Sequence, residues 1–333
     1  MKILVVNIKY FGDLIISTPA IRSLHKKYPD SEIVVLVRKG FEDVFKNNPY
    51  VNSILTFDPE IKGNRSLRSL VEGIKLISKI RKENFDVFIA LHPGDRVALL
   101  AWLSKAKIRI GPHKQTFSFL FNKKVDVYED TISYIEYYNK IVSEFNVEIE
   151  SNETEFFISE NEINWANNFL SENNLLNDKF ICIHPGASEP SKIWKTENFI
   201  ELINLLINKS KLKILVLSGP NDKKIVDSIN AKLINNSVKY FYSDSILKTA
   251  ALIKKSLLLV THDTGTRHLA VALKIPVLAL LPEDNSLCWN FYSEDDGHFS
   301  LFGKRIKNEN EAYLNYINVN DVYKKIGEIL KLW

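Results

Sequence analysis

The chain has 333 residues, of which 45% are hydrophobic and 25% are charged, and its formal net charge is +4. At about 100–200 residues per domain this length predicts two domains, and the composition excludes collagen-like, disordered and disulfide-scaffold proteins. The only two cysteines, Cys182 and Cys288, are too few for a secreted disulfide framework, which favours a reducing, cytoplasmic location. The apolar runs are far shorter than the roughly 20 residues of a membrane helix, and no signal peptide is expected.

In the first half, short apolar runs alternate with amphipathic stretches. The predicted strands are Lys2–Val6, Glu32–Val37, Val51–Leu55, Phe85–Ala90 and Lys107–Ile110. Pro19, which follows Ser17 and Thr18, suits the first turn of a helix or a kink. Leu70, Ile74 and Ile77 recur at helical spacing, and a further helix is predicted from Ser133 to Phe145. Strands that alternate with helices indicate parallel pairing in a doubly wound sheet.

The same alternation starts again after the polar stretch Glu148–Glu160. The predicted strands of this second series are Phe180–Ile183, Leu212–Leu217, Val238–Tyr242, Leu257–Val260 and Pro276–Leu281. The predicted helices are Thr196–Leu206, Ser245–Lys255 and a closing helix around Val322 and Ile326, with Asn320 as its N-cap.

The sequence therefore predicts an α/β protein of two Rossmann-like domains, residues 1–155 and 156–333. Ligands of doubly wound sheets bind at the carboxyl ends of the strands, so the expected site is a central cleft between the two halves. The C-terminal helix is a candidate to pack back on the first domain.

Two loops of the first half carry candidate residues. In the first, Gly12 permits a tight turn or the close approach of a ligand to the backbone, and Asp13 is either a helix N-cap or a general base directed into the cleft. In the second, Asp95 and Arg96 follow the strand that ends at Ala90, and an ordinary strand–helix turn explains them at least as well as a role in the cleft.

The loop after Ile183 contains small residues and one lysine. The backbone of Gly186, Ala187 and Ser188 could approach a phosphate, and Lys192 could supply a positive charge to it. The alternative is a plain connector with a solvated lysine, and Trp194 suits a lid on the core under either interpretation.

The loop after Val260 is the most informative. Thr264 and Gly265 stand at the predicted start of a helix, where backbone N–H groups and the helix dipole favour a diphosphate. Asp263 and His268 are close enough in sequence to order this loop or to hold a ribose or phosphate. An Asp or Thr N-cap explains Asp263 alone but not the density of polar residues at this strand end.

Several common sites are missing from the sequence. There is no GxGxxG dinucleotide fingerprint, no Walker-type GxxxxGK[ST], no HExxH and no Cys/His cluster with zinc spacing. The lack of an Asp-x-Asp triplet weakens any mechanism that holds a nucleotide diphosphate through a divalent metal.

Together these motifs resemble those of glycosyltransferase family 9, the ADP-heptose:lipopolysaccharide heptosyltransferases. The resemblance spans essentially the whole chain and rests on three groups of residues in the right order: Gly12-Asp13 with Thr18-Pro19-Ala20, His184-Pro185-Gly186 with Lys192-Ile193-Trp194, and His262-Asp263-Thr264-Gly265 with His268. It implies a GT-B fold in which the first domain mainly binds the acceptor and the second mainly binds the nucleotide sugar. It also implies a reaction that inverts the anomeric configuration and needs no metal, so we expect no cofactor and no nucleic-acid partner.

The resemblance also implies roles. Asp13 would deprotonate the acceptor hydroxyl, and Lys192 with the amides of Thr264 and Gly265 would stabilise the departing diphosphate. The remaining donor-side residues would be Gly186, Ala187, Ser188, Asp263 and His268, and the acceptor-side residues would be Lys9, Gly12, Asp95 and Arg96.

This chain departs from the family pattern at two positions. Asn7 stands where a basic residue is common, so Lys9 is a candidate to replace that charge. Arg267 replaces a small or apolar residue and is a candidate for a further phosphate contact.

A basic and aromatic run of the first half could meet a membrane. It contains Arg109, His113, Lys114, Phe117, Phe119, Phe121, Lys123 and Lys124. Its cations and aromatic residues would suit the inner-membrane surface or a phosphorylated lipid-linked acceptor. A core element flanked by solvated lysines is an equally good interpretation.

The resulting hypothesis is an inverting, metal-independent transferase that moves a heptose from ADP-heptose to the lipid A-linked inner core of lipopolysaccharide. The alternatives are transfer of another nucleotide sugar to a surface glycan, a nucleotide-sugar epimerase of the same architecture, or a protein that only binds a sugar nucleotide.

Overall fold

The computed structural model describes residues 1–58, 67–128, 131–283, 288–289, 291–303 and 313–332. The chain divides into two compact units. Unit 1 is Met1–Phe157 with Leu287–Trp289, and unit 2 is Ile158–Ser286 with Asn290–Trp333. The chain therefore passes from one unit to the other at Phe157, within the polar stretch that separates the two series of predicted strands.

Unit 1 is built on one parallel sheet. Its strands are β1 (Lys2–Val6), β2 (Glu32–Arg38), β3 (Ser53–Phe57), β4 (Val87–Ala90), β5 (Ile108–Pro112) and β6 (Lys123–Val125). Its helices are α1 (Phe11–Ile16), α2 (Thr18–Lys27), α3 (Leu67–Lys82), α4 (Asp95–Leu103) and α5 (Tyr134–Ser143). The strand order is β3-β2-β1-β4-β5-β6. Residues Ile3–Val6 of β1 are almost completely buried, because a parallel sheet is covered on both faces and its central strands are apolar throughout.

Unit 2 repeats this architecture. Its strands are β7 (Phe180–Ile183), β8 (Lys213–Ser218), β9 (Val238–Tyr242), β10 (Leu259–His262), β11 (Val277–Pro282) and β12 (His298–Gly303). Its helices are α6 (Glu160–Glu172), α7 (Thr196–Leu205), α8 (Lys223–Lys232), α9 (Ile246–Lys255), α10 (Gly265–Ala272) and α11 (Val319–Leu330). The strand order is β12-β11-β10-β7-β8-β9. Read from β9, it matches the order in unit 1, with β7 and β10 in the places of β1 and β4. Both units therefore have the classic strand order of a doubly wound sheet.

Most predicted elements are confirmed, but some boundaries were wrong. Strand β3 starts at Ser53 rather than Val51, because the side-chain Oδ1 of Asn52 accepts a hydrogen bond from Ile33 N (2.8 Å) and the ladder starts after it. Strand β10 was expected to end at Val260 but extends through His262, because backbone pairing with β11 continues through two buried polar residues.

The prediction for the closing helix was wrong at its N-cap. Asn318 caps α11, and its Oδ1 accepts a hydrogen bond from Asn320 N (2.8 Å). The apolar face of α11, with Val322 and Ile326, packs in one core cluster with Phe199 of α7. The C-terminal helix thus has its core contacts within unit 2.

Within the described residues, no helix combines the length and the hydropathy that crossing a membrane requires.

Candidate functional site

The four loops that the sequence singles out follow four particular strands. In unit 1, β1 lies beside β4 at the point where the strand order reverses, and in unit 2, β7 lies beside β10 at the equivalent point. Doubly wound sheets bind their ligands at the carboxyl ends of these strands, where the loops diverge. The topology therefore gives each unit one candidate site formed from two of the predicted loops.

Asp13 is a buried carboxylate with two hydrogen bonds. Its side chain accepts one bond from the backbone N–H of Tyr10 at Oδ2 (3.2 Å) and one from the hydroxyl of Tyr138 at Oδ1 (3.1 Å). The residue is only 5% exposed. Tyr138 lies on α5 and fixes the carboxylate from a distant part of the sequence, so both oxygens are held in place.

Two expectations about this loop were wrong. Tyr10, not Asp13, is the N-cap residue of α1, and Asp13 is the third residue of the helix, where its carboxylate reaches back to the N-cap N–H. Gly12 lies inside α1 and has no positive φ angle, so it does not form the tight turn predicted for it.

The surroundings of Asp13 raise its pKa. Burial is the dominant cause, because it disfavours the charged form, whereas the charge of Lys9 and the hydrogen bonds from Tyr138 and Tyr10 lower the pKa and offset part of the effect. A carboxylate with a raised pKa is a stronger base than one in water, and a general base works best when its pKa is close to the working pH. The geometry and the electrostatics of Asp13 therefore suit proton abstraction.

Substitution Tyr138→Phe tests this arrangement. Loss of the hydroxyl removes a hydrogen bond that favours the carboxylate, so we expect the pKa of Asp13 to rise further and the acidic limb of the pH–rate profile to move to higher pH. A hydrogen bond to a charged group contributes about 1.5–3 kcal/mol. The rate of the reaction that needs the Asp13 carboxylate should therefore fall by about ten-fold or more at acidic pH. The control is Tyr28→Phe, which removes a hydroxyl that donates instead to the carbonyl of Phe145. An acidic limb that does not move would contradict the role of Tyr138.

Neutral side chains order the loop between β1 and α1. The amide of Asn7 accepts a bond from Lys9 N (3.3 Å) and donates one to the carbonyl of Asp13 (3.4 Å). His92, after β4, accepts from Ile8 N at Nε2 (3.3 Å), so its protonated Nδ1 donates to Pro93 O (2.8 Å). Burial lowers the pKa of His92 to about 4, which keeps the ring neutral. Asn7 thus connects the backbone of this loop, at Lys9, to that of α1, at Asp13.

The other acceptor-side candidates are more exposed. The ammonium of Lys9 lies 5.7 Å from the centre of the Tyr134 ring, and whether it replaces a basic residue at position 7 stays a prediction. Asp95 starts α4, and its Oδ1 accepts a hydrogen bond from Phe117 N (3.1 Å), while Arg96 is exposed. The contact of Asp95 organises the loop, and acceptor binding by either residue stays a prediction.

In unit 2, Asp263 stands between two cations. Its Oδ2 lies 3.1 Å from Nζ of Lys192, and its Oδ1 lies 3.4 Å from Nη2 of Arg267. The structure therefore brings together the loop after β7 and the loop after β10, as the sequence predicts. The further phosphate contact predicted for Arg267 was wrong, because its side chain is 0% exposed and supports Asp263 from within the core.

The start of α10 provides a candidate anion site beside this pair. Thr264 is the N-cap residue and Gly265 is the first residue of the helix. The first amides of a helix have no intrahelical acceptor, and the helix dipole adds positive potential at the same place. The hydroxyls of Thr264 and Thr266 lie 2.7 Å apart. Lys192, held by Asp263, can add a full charge to these partial charges.

A buried polar network that sequence reasoning missed supports the loop after β7. Nε2 of His184 donates to Oδ2 of Asp222 (3.1 Å), so Nδ1 accepts from the hydroxyl of Thr266 (3.3 Å). Burial raises the pKa of Asp222, but the hydrogen bond and electrostatic interaction with His184, together with the bond from Gly219 N, outweigh burial and leave the pKa below its usual value. Asp222 also accepts from Gly219 N (3.0 Å). The network joins both loops of unit 2 to the end of β8.

The backbone of Gly186 packs directly against the carboxylate of Asp222, a member of this network. A Cβ atom at Gly186 would lie 2.0 Å from Cγ of Asp222, which real Cβ contacts never show. The carboxylate of Asp222 thus fills the space that any other residue at position 186 would need. This explains the glycine by close packing.

Substitution Gly186→Ala should therefore destabilise unit 2 by about 1–3 kcal/mol, the usual cost of inserting atoms into a packed interior. We also expect weaker binding of a nucleotide diphosphate, since Asp222 can move only by breaking its bonds to His184 and Gly219. Thermal unfolding and calorimetric titration measure the two effects. The control is Gly73→Ala on α3, where nothing lies within 4 Å of the new Cβ; an equal loss of stability in both variants would refute the packing argument.

His262 joins the two loops from the end of β10. Its Nε2 accepts from Trp194 N (3.1 Å), so its Nδ1 donates to Gly186 O (3.1 Å), and burial lowers its pKa to about 4. Trp194 is completely buried and its indole N–H donates to Ile317 O (3.1 Å). Trp194 is thus a core residue that fixes the loop.

The remaining donor-side candidates differ in exposure. Ala187 is half-buried and Ser188 is exposed, so their backbone is accessible on the loop. His268 is buried, its Nδ1 lies 3.1 Å from the hydroxyl of Tyr292, and burial lowers its pKa well below the usual value. A neutral His268 suits ordering or hydrogen bonding, and its contact with a nucleotide stays a prediction. In the part of the chain that the structure describes, no group of three His, Cys, Asp or Glu side chains could hold a metal ion.

Known proteins are similar to this chain in sequence and in fold. Residues 74–315 match the family described as glycosyltransferase family 9 (heptosyltransferase). Lipopolysaccharide heptosyltransferase 3 of Escherichia coli is 24% identical over 342 residues, which cover 97% of this chain and 96% of that protein. The crystal structure of a family 9 glycosyl transferase from Veillonella parvula aligns with a TM-score of 0.85 at 22% identity and covers 99% of this chain and 97% of that chain.

A second solved structure, the ADP-heptose lipopolysaccharide heptosyltransferase II of Escherichia coli, aligns with a TM-score of 0.81 at 20% identity and covers 99% of each chain. Similar folds over nearly complete chains, together with the two parallel sheets, confirm the predicted GT-B fold of two Rossmann-like halves.

Proposed function

The chain belongs to glycosyltransferase family 9, the heptosyltransferase family, and is a glycosyltransferase; on that premise we propose that it transfers a heptose from ADP-heptose to the lipid A-linked inner core of lipopolysaccharide. The observation that carries the proposal is the division of chemical groups between the units. Unit 1 holds a buried carboxylate with a raised pKa, and unit 2 holds a helix N-terminus beside a lysine. These are the base and the leaving-group site that transfer to a hydroxyl requires.

We assign binding of the nucleotide sugar to unit 2. The diphosphate would lie at the start of α10, where the amides of Thr264 and Gly265 and the ammonium of Lys192 can neutralise it. Asp263 keeps Lys192 in place, and the loop from Gly186 to Ser188 supplies further backbone N–H groups. Electrostatic stabilisation of a departing anion is commonly the largest contribution to catalysis of this kind. This set of groups requires no metal ion, so we propose a metal-independent reaction.

We assign activation of the acceptor to unit 1. Asp13 would accept the proton of the acceptor hydroxyl while the hydroxyl oxygen attacks the anomeric carbon. The bond between that carbon and the diphosphate oxygen breaks in the same step, and attack from the opposite side inverts the anomeric configuration. Tyr138 and the N–H of Tyr10 hold the carboxylate, and Lys9, Gly12, Asp95 and Arg96 are proposed to line the acceptor side.

The heptosyltransferase relatives support a heptose donor over another nucleotide sugar. A nucleotide-sugar epimerase would act on one substrate, and an acceptor base such as Asp13 would have no role in it. The transferase therefore explains both units, whereas the epimerase and a simple binding protein explain only unit 2.

The test is consumption of a panel of nucleotide sugars by the purified protein, with and without heptose-deficient lipid A–core as acceptor. We expect ADP release from ADP-heptose that depends on the acceptor and persists in the presence of a chelator. Consumption of a UDP-sugar but not of ADP-heptose would refute the donor. Turnover without any acceptor would favour the epimerase, and binding without turnover would favour a binding protein.

A further inference from the structure

The basic and aromatic run of unit 1 divides into two parts. Arg109 donates to the carbonyls of Leu120 (3.0 Å) and Ala106 (2.7 Å), and Phe121 is buried. Lys123 lies on strand β6 and donates to the carbonyl of Glu144 (3.1 Å). These members of the run hold the fold together, so the run as a whole is not a binding surface.

Two other members, Phe117 and Phe119, lie on a segment that contacts α4 through Asp95 and the turn Ser118–Leu120. Phe117 and Phe119 are exposed and contact each other edge-to-face, with ring centres 6.0 Å apart. Leu99 and Trp102, three residues apart on α4, are also exposed and lie on the same face of the helix. The short turn Ser118–Leu120 packs against α4. We call Leu99, Trp102, Phe117 and Phe119 the aromatic patch.

The aromatic patch is unusually exposed for such large side chains. Trp102 is 55% exposed and Phe119 is 68% exposed, whereas the opposite face of α4, with Val97, Ala98 and Ala101, is buried in the core of unit 1. The helix thus has a second apolar stripe that the core does not need. An apolar cluster of this kind on a protein surface commonly marks a contact with another molecule.

Lysines border the aromatic patch. Lys105 and Lys107 are exposed on either side of Ala106, and Arg109 ties the carbonyl of Ala106 to that of Leu120 beside Phe119. Lys114 is exposed on the segment that leads into Phe117. Within the described residues, none of these three lysines forms an ion pair. Their charges are therefore available to an anionic partner.

Two acidic residues of this region are already engaged. Asp95 accepts a hydrogen bond from Phe117 N (3.1 Å), and Asp126 lies 2.7 Å from Nδ1 of His113. These contacts leave the two negative charges in place, but the cations Lys105, Lys107, Lys114 and Arg109 outnumber them, so the border of the aromatic patch is positive on balance.

We propose that the aromatic patch and its lysine border dock unit 1 onto an anionic lipid bilayer. Aromatic and aliphatic side chains enter the boundary between headgroups and acyl chains, and lysines beside them contact anionic headgroups. A second copy of the chain is a poorer occupant, since a self-complementary contact would bring two lysine borders together. This inference rests on the proposed function, because the proposed acceptor is lipid-linked, but it concerns the binding of the protein to the bilayer itself.

The experiment is sedimentation of the full-length protein with vesicles of phosphatidylcholine alone or mixed with phosphatidylglycerol, without donor or acceptor. We expect binding to the mixed vesicles that falls as salt is added. The double variant Trp102→Ser/Phe119→Ser should lose about ten-fold or more of its partition coefficient, because both side chains lose their apolar burial. The triple variant Lys105→Glu/Lys107→Glu/Lys114→Glu should lose binding to the mixed vesicles.

The matched control is Ile234→Ser in unit 2, which removes an apolar side chain that is 96% exposed and should leave vesicle binding unchanged. Unchanged binding of the double variant, or equal binding to both kinds of vesicle, would overturn the proposal. A dimer in gel filtration that the double variant abolishes would assign the aromatic patch to a second copy instead.

Turnover separates this proposal from the proposed function. With a delipidated, water-soluble acceptor, the double variant should transfer sugar at the parental rate while its vesicle binding is lost. If the parent binds anionic vesicles but transfers no heptose to any acceptor, the proposed function fails and the docking surface stands. If the parent transfers heptose but the variants and the parent bind vesicles alike, the docking surface fails alone.

Discussion

Substitution of Asp13 by asparagine is expected to lower kcat for glycosyl transfer by about 10²–10⁴-fold, the usual contribution of a positioned general base. The amide keeps an oxygen that can accept the bond from Tyr10 N, and it has nearly the volume of the carboxylate, so the fold should survive. What it loses is the ability to take the acceptor proton. Initial rates with saturating donor and acceptor measure the effect.

Two further measurements make this result specific. Affinity for ADP should be unchanged in Asp13→Asn, since the proposed diphosphate site is built entirely from residues of unit 2. The control Asp30→Asn removes an exposed carboxylate of the same unit and should retain the parental rate. A parental rate in Asp13→Asn would show that the acceptor hydroxyl loses its proton elsewhere. Loss of ADP binding would show that the substitution damages more than the base.

The pH dependence of the parent follows from the same carboxylate. Burial raises the pKa of Asp13 above the usual value of an aspartate, and the base is active only when deprotonated. The rate should therefore fall on the acidic side at a higher pH than an exposed aspartate would give. In Asp13→Asn this limb should disappear from the residual activity, and a limb at the same pH in both proteins would assign it to another group.

The central strands and the site motifs could be predicted because their physical requirements are local. Strands β1 and β7 were predicted to the residue, at Lys2–Val6 and Phe180–Ile183. A strand covered on both faces must be apolar throughout, so its run is visible in any sequence. Asp13, Lys192 and Asp263 could be proposed because each follows such a strand at its carboxyl end.

The strands that were not predicted lie at the edges of the sheets. Strands β6 and β12 are the outermost strands of their sheets, and they carry lysines, a serine and a histidine among few apolar residues. An edge strand pairs on one side only, and charged or polar residues there protect it from association. The rule that identifies a buried strand is therefore unreliable for an edge strand, although it found β9, whose Val238 and Phe241 are buried.

The missed site residues act through contacts that sequence distance hides. Tyr138 is 125 residues from Asp13, and Asp222 is 38 residues from His184. A tyrosine on an amphipathic helix is normally interpreted as a core residue. Only the packing of α5 shows that the Tyr138 hydroxyl donates a hydrogen bond to the carboxylate of Asp13. Asp222 did leave a weak signal, because Gly219 and Pro220 mark a turn directly after the apolar strand β8.

Substitution of Lys192 by methionine is expected to lower kcat by about 10²–10³-fold, the cost of removing one preorganised group from a developing anion. The negative charge on the diphosphate grows as the bond to the sugar breaks, so a cation held in place stabilises the transition state more than the bound donor. Asp263 provides this preorganisation, because its contact at 3.1 Å fixes the ammonium before any donor binds. The loss should thus appear mainly in kcat and less in the affinity for the donor.

Two variants distinguish this role from simple attraction of an anion. Lys192→Arg keeps the charge but changes its geometry, so it should recover part of the rate while ADP binds almost as tightly as to the parent. Lys195→Met removes an exposed lysine three positions later in the chain and should keep the parental kcat. If Lys192→Met weakens ADP binding and leaves kcat unchanged, the lysine binds donor and transition state equally. The charge of Lys192 would then contribute only to binding of the donor, and stabilisation of the leaving group would depend on the amides of Thr264 and Gly265.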